Sequence, residues 1–154
     1  MYSVESEFRM NTPVDARLRV RYSETDQMGI VYYSNYFIWM ELGRAEWCRA
    51  AGICYRDMEE QDGILLAVAE AQCRYVQPAR FDDEVVVETE VPHAHARMVT
   101  FEYRMKRLGD GVLLATGYTK HVFLGRNMQP CRLPEKYRAA FGLFERDDGL
   151  HLSG

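Results

Sequence analysis

The stretch Tyr22-Ser-Glu-Thr-Asp26-Gln-Met-Gly29-Ile-Val-Tyr-Tyr33-Ser-Asn-Tyr36, continued by Phe-Ile-Trp-Met-Glu-Leu-Gly-Arg-Ala-Glu-Trp-Cys-Arg-Ala-Ala51, decides how the rest of the chain is read. It spells a strand end, a glycine-containing loop and one long helix. Between Tyr36 and Leu42 the only acid is Glu41, so the first two turns are apolar nearly all round. Such a helix is expected to be buried on most sides. Ser34 is the candidate N-cap, and Gly52 is the candidate stop.

Around this helix the chain alternates like strands. Before it, Leu18, Val20 and Tyr22 interleave with Arg17, Arg19 and Arg21, one face buried and one basic. After it, residues 53–63 read as a polar connection ending in the Asp62-Gly63 turn. A long strand then runs from Ile64 to Val76. Leu65, Ala67, Ala69, Ala71, Cys73 and Tyr75 share one face, and their small size predicts close approach by the helix. Pro78 ends that strand, and Glu84–Val91 forms the next. Pro92-His-Ala-His-Ala96 reads as a connection. Val99, Phe101, Tyr103 and Met105 alternate with polar residues, Gly109-Asp110-Gly111 marks a hairpin, and Leu113–Leu124 is the last strand. Pro134 opens a short helix over 135–144, and both termini read as loose. The order gives an α+β fold, a mainly antiparallel sheet wrapped around one long central helix. That leaves sheet edges to be covered, for which a second copy of the chain is the simplest partner.

The 154 residues form a single domain, with a core over about 14–138. A net charge of −4 argues against nucleic acid as the main partner. No run is long and apolar enough for a membrane span, and the first residues lack the pattern of a signal peptide. A cytoplasmic location is expected. Cys48, Cys54, Cys73 and Cys131 form no C-x-x-C pair and read as reduced thiols, two of them in the core.

The sequence carries no nucleophile elbow, no phosphate-binding loop and no dinucleotide fingerprint. His93 and His95 flank an alanine in a loop. A metal pair there competes with a solvated loop, which is the better reading, and no metal is expected. His121 reads as a packing or surface residue on the last strand. Asp26, at the junction of strand and helix, has two readings. It can face a substrate held at the helix N-terminus, where unpaired N–H groups and the positive dipole end stabilise an oxyanion. Alternatively it bonds its own loop as an Asx-turn, which local spacing alone favours.

The pattern Tyr22-x-Glu24-Thr25-Asp26-x-x-Gly29-x-Val31-Tyr32-Tyr33-x-Asn35-Tyr36 before a long helix closely resembles the signature of the 4-hydroxybenzoyl-CoA thioesterase family of hot-dog proteins. It is also similar to the acyl-CoA thioesterases of that family. The likeness covers roughly residues 14–138. It implies that Asp26 is the catalytic acid, acting as nucleophile on a thioester carbonyl or as base for water. Tyr33 falls where the family places the backbone N–H that polarises that carbonyl. Relatives that use a histidine side chain there have no counterpart in this chain. Gly29, Val31 and Tyr32 are implied as substrate-binding, with Gly29 letting the loop turn close to the substrate. Arg97, Arg126 and Arg132 are candidates for the phosphates of coenzyme A, which enters as part of the substrate and not as a cofactor. Another branch of the fold carries its acid on the central helix, so Glu41 and Glu46 are second choices. Pairing with Arg44 and Arg49 is the simpler reading for both. The resemblance further implies an acyl-CoA or acyl carrier protein substrate and a homodimer or homotetramer. A non-catalytic acyl-CoA-binding module and a hot-dog dehydratase stay open as alternatives.

Overall fold

The computed structural model describes residues 12–143, so the two ends read as loose from the sequence lie outside the described residues. Five strands, β1 (Val14–Arg19), β2 (Leu65–Tyr75), β3 (Glu84–His95), β4 (Met98–Arg107) and β5 (Leu113–Leu124), form one sheet. All neighbours are antiparallel and the order is β1-β3-β4-β5-β2. The hairpin between β4 and β5 turns where expected. Gly111 takes φ +74°, and Asp110 accepts the Val112 N–H at 3.1 Å. Val99, Phe101, Tyr103 and Met105 of β4 are all buried, as their alternation requires.

Helix α1 (Asn35–Ala50) packs against β1 and β3. It stops at Gly52, whose φ of +87° lets Ile53 N–H return to the Cys48 carbonyl at 2.8 Å. Ser34 sits at the N-cap position but its side chain makes no capping bond. The buried residues Tyr36, Trp39, Met40, Gly43, Trp47 and Cys48 follow helical spacing on one face only. Ile38 is 55% and Leu42 39% exposed, so the expected burial on most sides is not met within one chain.

Close approach of helix and sheet comes from two glycines, not from the alanines of β2. A methyl group at Gly43 would lie 2.4 Å from Thr89 Oγ1, and one at Gly117 of β5 would lie 2.4 Å from Met40 Cε. Strand β2 is instead an edge strand. A register shift between Val68 and Glu70 interrupts its pairing, and Ala69 and Ala71 are exposed.

Two further departures have local causes. Residues 55–60 form a short helix, α2 (Tyr55–Glu60), that buries only Met58, so its composition reads as loop. Strand β3 runs through Pro92 to His95 because a register shift between Glu90 and His93 places the proline in a bulge. After β5, α3 (Glu135–Arg138) passes into a 3-10 turn, Ala139–Phe141, which stacks Phe141 on Trp47 at 5.3 Å.

Candidate active site

The residues between β1 and α1 fold into a compact loop fixed at both ends. Asp26 N–H donates to the Ile30 carbonyl at 2.8 Å, and Gly29 N–H donates to the Asp26 carbonyl at 2.9 Å. Val31 N–H donates to the Ala79 carbonyl at 2.9 Å, and Ile30 pairs with Arg80, so the loop rests on the turn before β3. Gly29 takes φ +81°, and a methyl group added there would meet nothing within 4 Å, so backbone conformation, not crowding, requires glycine.

Asp26 is half-buried. Its Oδ1 accepts Met28 N–H at 2.8 Å and Ile30 N–H at 3.4 Å. The Asx-turn reading is therefore correct, and both of these bonds use Oδ1 and not Oδ2. Asp26, Tyr22, Thr25, Gln27, Tyr32 and Asn35 line one open groove of about 800 Å³. The helix begins beside it with a tight turn. Asn35 N–H donates to the Tyr32 carbonyl, while Tyr33 and Ser34 N–H have no acceptor among the described residues. These are the leading amides of α1, at the positive end of its dipole.

Aromatic rings surround this helix start. The Tyr32 and Tyr33 centroids are 4.7 Å apart, and Tyr75 of β2 meets Tyr36 edge-on at 5.0 Å. Donating its hydroxyl to that of Tyr33 favours the neutral phenol of Tyr32 and raises its pKa above the ordinary value. Tyr75 Oη also donates to the Tyr33 carbonyl at 3.0 Å. Tyr32 thus lines the groove, Tyr33 follows it in the chain but is not part of the lining, and Val31 is 4% exposed with its side chain in the core.

The three arginines are not brought to this end. Arg97, in the β3–β4 turn, is exposed, and its neighbour Ala96 accepts Leu133 N–H at 2.7 Å, which places Arg132 close by. Arg126 lies over Gly63 and donates to the Gln61 carbonyl at 2.6 Å. Along β5, the Asp26 end is marked by Ala115 opposite Tyr75, and the arginine end by Leu124 opposite Leu65. That separation is roughly 30 Å at the rise of an extended strand.

Glu46 forms an ion pair with Arg49, as expected. Glu41 is exposed. Arg44 departs from expectation and bonds two phenols instead of a helix acid, the partly buried Tyr55 Oη at 3.2 Å and the buried Tyr103 Oη at 3.1 Å. His121 is fully buried, consistent with packing. His95 Nδ1 accepts Arg97 N–H at 3.2 Å. No group of three or more His, Cys, Asp or Glu side chains among the described residues is placed to hold a metal. All four cysteines are free thiols, but only Cys48 is buried. Burial pushes its pKa up to about 12, so it is inert as a nucleophile. The residue that sequence reasoning left without a role is Glu24, 6% exposed between loop and helix. Its presence in the motif was the available signal.

An antiparallel five-stranded sheet with an α-helix across one face is the architecture of the hot-dog thioesterases. Residues 20–141 match the thioesterase-like superfamily, and the chain belongs to it. The acyl-CoA thioesterase YbgC of Haemophilus influenzae is 32% identical over 124 residues, covering 80% of this chain and 90% of that protein. The putative acyl-CoA thioesterase YneP of Bacillus subtilis is 38% identical over 88 residues, covering 57% of this chain and 63% of that protein. Among solved structures, a hypothetical protein from Thermus thermophilus superposes with a TM-score of 0.79 at 37% identity, covering 85% of this chain and 99% of that one. No helix among the described residues is long and apolar enough to cross a membrane.

Proposed function

We propose that the protein is an acyl-CoA thioesterase of the 4-hydroxybenzoyl-CoA thioesterase type, with the sheet curled around α1 as its central helix. It hydrolyses an acyl or aryl thioester to the free acid and coenzyme A. The observation that carries this reading is that Asp26 shares one groove with Tyr32 and Asn35, the residues on either side of the free Tyr33 and Ser34 N–H groups. The names of the Haemophilus and Bacillus relatives support coenzyme A as the carrier.

The thioester carbonyl oxygen accepts the Tyr33 N–H, which strengthens as negative charge develops on it. Asp26 then acts in one of two ways. As nucleophile, its carboxylate adds to the carbonyl carbon, expels the thiolate and leaves a mixed anhydride that water opens. As base, it takes a proton from water, whose oxygen adds directly. Either way the thiolate is a good leaving group. The Met28 and Ile30 N–H groups hold Oδ1, so Oδ2 is aimed without loss of side-chain freedom during the reaction.

The same reading makes the cytoplasmic protein a homodimer or homotetramer. Strand β2 has an open edge, with Val68 57%, Tyr75 45% and Val76 44% exposed. Two copies of β2 paired antiparallel about a two-fold axis set the Leu65 end of one beside the Tyr75 end of the other. The arginine end of the second copy then reaches the groove that holds Asp26. Arg97, Arg126 and Arg132 would bind the phosphates of a coenzyme A whose acyl group sits in the opposite subunit.

The deciding experiment is Asp26→Asn, assayed for thiol release across a panel of acyl- and aryl-CoA thioesters. Turnover is expected to fall by about 100-fold or more with the fold intact. Full turnover in that variant would remove Asp26 from the mechanism.

A further inference from the structure

We infer that Glu24 is a positioning residue for the reaction, fixing Asp26 relative to the leading amides of α1 by tying the loop to the helix through Trp39. The inference rests on the role given to Asp26 above. Glu24 Oε1 accepts the Arg21 N–H at 2.8 Å, and Oε2 accepts the indole Nε1–H of Trp39 at 3.1 Å. Its backbone carbonyl accepts Tyr32 N–H at 2.8 Å and Asn35 Nδ2–H at 2.9 Å. Trp39 and Asn35 belong to α1 and Tyr32 leads into it, so two of these four bonds cross from loop to helix and a third holds the turn that opens it.

The side chain points away from the reaction. It lines a separate pocket of about 410 Å³ with Arg21, Ile38, Trp39 and Leu42, and it is absent from the lining of the Asp26 groove. Two residues further on, Asp26 faces that groove. Glu24 therefore touches no substrate held there and acts only through the loop. A carboxylate is the fitting group because both of its oxygens meet donors. A buried carboxylate with every donor in place holds one geometry, and a partly satisfied one does not.

Replacing Glu24 with Gln keeps the shape but sets an NH2 against an N–H, either of Arg21 or of Trp39. That repulsion is expected to shift the loop without opening the core. The test measures thiol release by E24Q, W39F and E24Q/W39F, each in the wild-type and the D26N backgrounds. E24Q is expected to lower kcat about 10- to 100-fold, the cost of a misplacement near 1 Å, with KM within about twofold of wild type. In the D26N background it is expected to cost nothing further, because the residue it positions is gone. W39F removes the same indole donor, so E24Q/W39F should lose no more than the worse single variant.

Equal losses from E24Q in both backgrounds, wild-type kcat in E24Q, or losses that multiply in E24Q/W39F would each overturn the assignment. If E24Q does not fold, W39F alone in the two backgrounds decides by the same comparison. Full turnover in D26N itself is a different result. It overturns the Asp26 reading and this inference with it, and the single variant shows it.

Discussion

Arg44 of α1 donates from Nη1 to the Tyr103 hydroxyl of β4 at 3.1 Å, yet no carboxylate among the described residues lies within ion-pair distance of its guanidinium. This partly buried cation is held by neutral oxygens. Its Nε meets Tyr55, and Tyr103 in turn bonds Thr119 Oγ1 at 2.6 Å, which bonds His121 Nε2 at 2.8 Å. The chain of bonds runs from α1 and α2 through β4 to β5. Burial pushes the Tyr55 phenol up to about 12, with the nearby Arg44 charge partly opposing, so both phenols stay neutral at ordinary pH.

Arg44→Met should consequently lower stability, because the buried Tyr103 hydroxyl and the partly buried Tyr55 hydroxyl both lose a charged donor. A loss of about 2–4 kcal/mol is expected, measured by urea denaturation. Arg44→Lys is expected to recover only part of it, since one ammonium cannot span both phenols as the planar fork does. A Lys variant as stable as wild type would contradict this account of the network.

The same network makes stability depend on pH. Burial, with the Arg44 charge second, depresses the His121 pKa from 6.5 to about 4, while the nearby Leu66 backbone opposes the shift only in part. His121 Nδ1 has no hydrogen-bond partner of good geometry. In the unfolded chain His121 takes a proton near pH 6.5, and in the folded protein it does so only near pH 4. The unfolded state thus binds more protons in that window, and stability falls as pH drops through it. The expected loss approaches about 3 kcal/mol by pH 4. Unfolding free energies measured from pH 7 to pH 4 should fall more steeply for wild type than for His121→Gln. Parallel curves for the two proteins would show that His121 is not the group responsible.

Assembly about β2 can be tested by complementation. A D26N chain lacks the acid, and a chain carrying R97A, R126A and R132A lacks the proposed phosphate contacts. Co-expressed, half of the dimers formed at random contain one of each. One site in such a dimer takes its Asp26 from one chain and its arginines from the other. Recovery of about a quarter of wild-type turnover is expected. If each site drew both from one chain, mixing would restore nothing.

Much of this molecule is legible along the chain because it is set by neighbours. The alternation of Val99 to Met105 compels a one-sided strand, and the run Gly109-Asp110-Gly111 compels its turn. Gly52 ends α1 by its backbone alone, and the Asp26 loop closes through bonds within five residues. What the chain could not show is which surfaces meet. The alanines of β2 look like a helix seat, but a register shift and an edge position turn them outward, and Gly43 and Gly117 take that role instead. Arg44 has Glu41 at helical spacing, yet three-dimensional packing gives it two phenols from other segments. Glu24 resembles any polar loop residue until Trp39 arrives above it. The arginines lie at the opposite end of β5 from Asp26, roughly 30 Å along the strand, a placement that pairing of strands sets and linear order does not. Period and turn chemistry act over a few residues, so the sequence by itself determined the elements. Burial and partner choice depend on segments far apart in the chain, so only the tertiary structure decided them.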